Sequence, residues 1–126
     1  MAHKILIVDD EEDVCRFTKS ILEKTGKFEV TFLTQAFGIV GFVKNFQPDL
    51  ILLDIMLPEK DGTEIAAELS NEPEIKNIPI VFLTALAQRV EVENNAGKIG
   101  GWDILAKPIS TKDLISKIET ILQKHP

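Results

Sequence analysis

Lys4-Ile5-Leu6-Ile7-Val8-Asp9-Asp10 sets four apolar residues between a lysine and a pair of carboxylates. The run is too short for a helix and is apolar at odd and even positions alike. Both of its faces must therefore be covered, as in a central strand of a parallel sheet. Asp49-Leu50-Ile51-Leu52-Leu53-Asp54 repeats the pattern, and Pro79-Ile80-Val81-Phe82-Leu83-Thr84 supplies a third such run. Phe28-Glu29-Val30-Thr31-Phe32-Leu33 differs, because its apolar residues alternate with Glu29 and Thr31 until Leu33. One wetter face places that strand at a sheet edge. Asp103-Ile104-Leu105-Ala106 is a short last strand.

Helix-like stretches fill the gaps between these runs. Val14, Phe17, Ile21 and Leu22 recur at helical spacing and stop at Gly26, a suitable C-cap. Residues 35–46 read as a second helix, weakened by Gly38 and Gly41. After the turn signals Pro58 and Asp61-Gly62 comes a short helix over 63–71, and a poorly patterned one over 86–98 carries Val92 and Ala96, with Ile99 just beyond. Ser110 and Asp113 form an S-x-x-D capping box ahead of Leu114, Ile118, Ile121 and Leu122. Five strands each followed by a helix predict an α/β, doubly wound parallel sheet with five helices on its two faces. A flavodoxin-like strand order 2-1-3-4-5 puts the alternating strand at the edge and the apolar runs inside.

The 126 residues suit a single domain spanning 1–126, with no segment reading as a linker or a repeat. A domain of this size buries roughly two-thirds of its unfolded surface, so it folds without a disulfide or structural metal. Its lone cysteine, Cys15, excludes an internal disulfide and a cysteine zinc cluster, and reads as a packing residue of the first helix. A net charge of −6 argues against a general nucleic-acid surface. No apolar run approaches about 18 residues and no signal-peptide core is visible, so the expectation is a soluble, cytoplasmic protein without membrane attachment. His3 and His125 lie near the chain ends without ligand partners at useful spacing.

In open parallel sheets, ligands bind beyond the carboxyl ends of the strands, near the switch in strand order. Those ends carry Asp9 and Asp10, Asp54, Thr84 and Lys107. Three converging carboxylates repel unless a cation neutralises them, and an all-oxygen site with room for waters suits Mg²⁺. A carboxylate can also attack phosphorus to give an acyl phosphate, provided that cations and donors stabilise the phosphoryl oxygens. Mg²⁺, the Lys107 amine and the Thr84 hydroxyl meet that need, so the set reads as a site for accepting a phosphoryl group on an aspartate.

Val8-Asp9-Asp10-Glu11-Glu12, Asp54-Ile55-Met56-Leu57-Pro58, Asp61-Gly62, Leu83-Thr84-Ala85 and Lys107-Pro108 resemble the receiver domain of two-component response regulators. The resemblance runs over roughly residues 3–124, with the pieces in the family's order and spacing. It implies that Asp54 is the phosphoacceptor, that Asp10 binds Mg²⁺ directly and Asp9 through water, and that the Met56 carbonyl completes the protein's share of the metal shell. It further implies that Lys107 contacts the phosphoryl oxygens, that Thr84 turns its hydroxyl toward them, and that the bond before Pro108 is cis. The implied partners are a sensor histidine kinase or phosphotransfer protein as phosphohistidine donor, and a downstream output protein or domain.

Two stretches depart from the family pattern. Three residues before Lys107 the family usually carries Tyr or Phe, whereas this chain has Ile104, which is stiff at χ1 and has no ring to rotate. Trp102 shares its strand face and either takes over part of that role or simply covers the sheet edge. Residues 30–43 carry no charge, and Phe37, Ile39, Val40, Phe42 and Val43 cannot all enter one core. That composition suggests a homodimer or partner surface on the second helix. Met56 and Leu86 flank the site with apolar side chains, poor at positioning water, so slow loss of the phosphoryl group is expected. The enzyme alternative, a small Mg²⁺-dependent phosphatase of the haloacid dehalogenase type, lacks its Asp-x-Asp motif and a second acidic pair. A receiver-like adaptor working without phosphorylation leaves the full chemical set unexplained.

Overall fold

The structure, a computed structural model, describes residues 2–85, 98–99 and 102–124. Its strands are β1 (His3–Val8), β2 (Phe28–Leu33), β3 (Leu50–Leu53), β4 (Ile80–Thr84), β5 (Lys98–Ile99) and β6 (Trp102–Ala106). Four helices lie among the described residues: α1 (Glu12–Glu23), α2 (Ile39–Phe46), α3 (Gly62–Ser70) and α4 (Thr111–Lys124). The sheet order is β2-β1-β3-β4-β6-β5. The five expected strands are all parallel and stand in the 2-1-3-4-5 order, the fifth of them being β6. A sixth strand, β5, was not expected; it pairs antiparallel with β6 through Lys98 and Ile99. The helix expected over 86–98 lies outside the described residues except for Lys98, which opens β5, and Leu86 and His125 lie outside them too.

Alternation along each central strand divides the interior into two layers. Leu6, Val8, Ile51, Leu53, Ile80, Phe82 and Ile104 face α2 and α3, and pack with Ile39, Val43, Ile65 and Leu69. Ile5, Ile7, Leu50, Leu52, Val81 and Leu83 face α1 and α4, and pack with Cys15, Leu22, Leu114 and Ile118. The apolar runs thus have both faces covered, which is why they lack polar residues. Phe28 and Val30 of edge strand β2 point inward while Glu29 between them is exposed.

The helix boundaries follow local backbone chemistry. Gly26 adopts a left-handed φ of 75° just after α1 and donates its N–H to Glu23 O. Ser110 Oγ accepts the Asp113 N–H at 3.1 Å ahead of α4. Two expectations are corrected. The second helix starts at Ile39 rather than residue 35, because Gly38 takes a left-handed φ of 76° that no helix continues through. Phe17 is 66% exposed; the buried face of α1 is Cys15, Thr18 and Leu22, whose spacing places Phe17 on the opposite side.

Phe82 is fully buried at the centre of the α2/α3 layer, and the Trp102 ring stands edge-on to it with centroids 5.8 Å apart. Phe82→Ala is expected to cost about 3–5 kcal/mol in a urea melt, the price of a core cavity. A loss below about 1 kcal/mol would show that this layer does not carry the fold.

Candidate functional site

The strand register sets the floor of the site. Val8 stands opposite Leu53, and Leu53 opposite Phe82, so these neighbouring strands end at one level. The ladder then continues one hydrogen bond further. Asp9 N–H donates to Leu33 O at 3.1 Å, Asp54 N–H to Val8 O at 2.9 Å, and Lys107 N–H to Thr84 O at 3.0 Å. The residues that follow the strands are therefore held by the sheet itself before any side-chain contact forms.

Asp9, Asp10 and Asp54 each present a carboxylate oxygen, and these oxygens lie within 4.8 Å of one another. Asp9 and Asp54 are buried, whereas Asp10 is exposed at the rim. The Lys107 ammonium reaches between the two buried acids, 2.5 Å from Asp9 Oδ2 and 3.4 Å from Asp54 Oδ2. Their other oxygens accept backbone donors, Asp9 Oδ1 from Glu11 N–H at 3.0 Å and Asp54 Oδ1 from Met56 N–H at 3.1 Å. Thr84 closes the floor as a buried hydroxyl at the end of β4. The peptide bond between Lys107 and Pro108 is cis.

Burial of Lys107 lowers its proton affinity, but the hydrogen bond and charge of Asp9, with Asp54 behind, outweigh this and raise its pKa above the ordinary lysine value. The amine therefore remains an ammonium and supplies the positive charge that lets two carboxylates share a buried floor. Hard oxygen donors in this number, open on one side, match the chemistry of a small divalent cation. Asp10, Glu11, Asp54, Met56, Leu57, Pro58, Thr84, Ala85 and Lys107 line a cleft of about 370 Å³ above them. A larger cavity of about 580 Å³ opens at the opposite end of the strands, beside His3. Its charged side chains, Lys27 and Glu119, pair with each other at 2.9 Å, and it contains no cluster of acids.

Two residues matter more to this geometry than their sequence suggests. Gly62 reads only as a turn residue, yet its N–H donates to Ile55 O at 2.7 Å. A Cβ there would strike the Asp54 carbonyl oxygen and come within 2.8 Å of Ile55 Cα. Cys15 donates its thiol to the Asp9 carbonyl at 3.3 Å from below. Burial, followed by the charge of Asp9, pushes its pKa up to about 11. No sequence signal marks either contact, since both depend on how close α1 and α3 come to the strand ends. Ile104 and Trp102 do share one strand face, with Ile104 buried and Trp102 half-buried in the same layer. No described helix is long and apolar enough to cross a membrane.

The comparisons with known proteins agree with this geometry. The family model for the response regulator receiver domain matches residues 5–119. A two-component response regulator from Clostridium difficile is 30% identical, with 96% of each chain covered and a TM-score of 0.80. The signal receiver domain of a signal transduction histidine kinase from Syntrophus aciditrophicus is 31% identical, covering 98% of this chain and 92% of that one, with a TM-score of 0.81. A CheY-like receiver domain protein from Methanospirillum hungatei JF-1 is 30% identical over 99% and 97% of the two chains, with a TM-score of 0.82.

Gly62→Ala is expected to lower stability by about 1–3 kcal/mol in chemical denaturation, since backbone rather than a flexible side chain must give way. A neutral result would show that the loop yields without cost. Raising the Cys15 pKa from 9.0 to about 11 predicts about 100-fold less thiolate near neutral pH than in an unfolded chain. Alkylation followed by mass spectrometry should therefore be slow in the native protein and fast in denaturant. Equal rates would contradict the buried contact.

Proposed function

The chain belongs to the response regulator receiver domain family of two-component signalling, and on that premise we propose that it accepts a phosphoryl group on Asp54 in a Mg²⁺-dependent reaction. The donor is a phosphohistidine on a sensor histidine kinase or phosphotransfer protein. The observation that carries this reading is the convergence of Asp9, Asp10, Asp54 and Lys107, from three separate strand ends, beneath one cleft that Asp10, Asp54 and Lys107 line.

In the transfer an Asp54 carboxylate oxygen attacks phosphorus. A P–O bond forms as the P–N bond breaks, and the electron pair of the broken bond remains on the imidazole nitrogen. The Met56 N–H fixes one oxygen of Asp54 at 3.1 Å, which orients the carboxylate for attack. Lys107 starts between Asp9 and Asp54 and turns its ammonium to the phosphoryl oxygens as their charge arrives. Thr84 donates its hydroxyl to the same oxygens from the end of β4. Asp9, Asp10, Asp54 and the Met56 carbonyl would hold Mg²⁺, which would supply positive charge to the phosphoryl oxygens.

The chain thus works as a phosphoacceptor whose modified face is read by an output protein or domain, and it turns over no other substrate. Met56 is 59% exposed at the cleft rim and offers no group to position an attacking water. The acyl phosphate is therefore expected to persist for minutes or longer.

Incubation with Mg²⁺ and acetyl phosphate, followed by intact-mass measurement, is expected to give one phosphoryl adduct. The adduct should disappear with a chelator and in Asp54→Asn. Absence of an adduct in the wild type, with Mg²⁺ binding demonstrated separately, would remove the phosphoacceptor reading. Steady release of inorganic phosphate at many turnovers would favour a phosphatase.

A further inference from the structure

Residues 30–43 carry no charged side chain, and the fold absorbs most of this apolar stretch. Ile39 and Val43 are buried, and Val40 and Phe42 pack half-buried on the same layer. Phe37 is not absorbed: it stands 90% exposed on the loop entering α2. Beside it opens a cavity of about 390 Å³, lined by Gly38, Val40, Gly41, Glu59, Lys60 and Glu68. The left-handed φ of Gly38 explains that glycine. Gly41 has no such explanation, because it is helical and a Cβ there would meet nothing within 4 Å. A glycine inside a helix costs about 1 kcal/mol relative to alanine. Such a cost at an exposed position fits a place where a second surface approaches the backbone closely.

Charge selects the occupant. Copies of a chain with net charge −6 repel one another unless they meet where charges are balanced. Around this face Lys60 pairs with Glu68, Lys44 pairs with Glu72 at 2.5 Å, and Glu59 accepts the Ala36 N–H at 3.0 Å. Two of the three glutamates on this border are thus neutralised by lysines, the third is held by a backbone donor, and an identical face can approach it. We propose that this face is a homodimer interface, in which Phe37 of each copy seats in the cavity floored by Gly38 and Gly41 of the other. A protruding ring beside a hollow on one surface is the self-complementary arrangement that a two-fold contact requires. The paired lysines and glutamates then form the polar rim around two apolar anchors.

Sedimentation velocity on the unphosphorylated chain, from about 10 µM to about 1 mM, tests this in the range where a small interface associates. The weight-average mass is expected to rise toward that of a dimer. Each two-fold contact holds two rings, so a 10-fold loss per ring makes Phe37→Ser about 100-fold weaker. Gly41→Glu places a charged side chain on the floor that the proposal assigns to the other copy's Phe37, while improving helix propensity. It should be monomeric with undiminished helical circular dichroism. Phe17→Ser, which removes an exposed ring from α1, should dimerise as the wild type does. A monomer throughout the range overturns the proposal, as does a dimer indifferent to both Phe37→Ser and Gly41→Glu. Acetyl phosphate labelling of Asp54 does not depend on either outcome.

Discussion

The Asp54 N–H donates to the Val8 carbonyl one rung beyond the last paired residues of β1 and β3, and the same overrun recurs at Asp9 and Lys107. Three separate strands therefore extend their hydrogen bonding into the loops that carry the chemistry. Main-chain bonds of this kind bring a register with them, which side-chain contacts alone do not. Asp9 and Asp54 stand level because Val8 and Leu53 stand level. A slip of β1 against β3 by one residue would turn the Asp9 carboxylate to the other face and leave Asp54 without it.

Onto that frame the site adds an electrostatic problem and its answer. Two buried carboxylates side by side destabilise a fold, and the Lys107 ammonium offsets the cost from β6. The backbone N–H groups of Glu11 and Met56 take up the remaining oxygens. The arrangement resembles a structural ion triad, except that its cation hangs on a flexible stem and its third acid, Asp10, faces solvent. A cluster held this way can exchange one positive charge for another without rebuilding the sheet beneath it.

Much of this was legible in the sequence because the signals are local. A run such as Leu50-Ile51-Leu52-Leu53 is apolar at every position only if both faces are covered, and the acid that ends it marks the strand's carboxyl end. The edge position of β2 follows equally from Glu29 and Thr31. The misreadings have local causes as well. Apolar periodicity could not show that Gly38 turns left-handed and delays α2 to Ile39. Phe17 reads as core because it recurs with Val14, Ile21 and Leu22 at helical spacing, although Thr18 holds the inward position. β5 spans two residues, too few to carry an alternation. Gly62 and Cys15 touch Asp54 and Asp9 through packing between distant segments, which no spacing along the chain encodes.

Trp102 is the chain's one tryptophan, and the sequence contains no tyrosine. Its indole lies half-buried on β6, edge-on to Phe82, on the strand that leads to Lys107. Excited beyond the absorption of its seven phenylalanines, the protein therefore emits from a single ring at a single depth. A shift of β6 against β4 alters the surroundings of that ring and of no other emitter. The fold thus carries its own optical gauge of the sheet edge nearest the lysine, readable without a label.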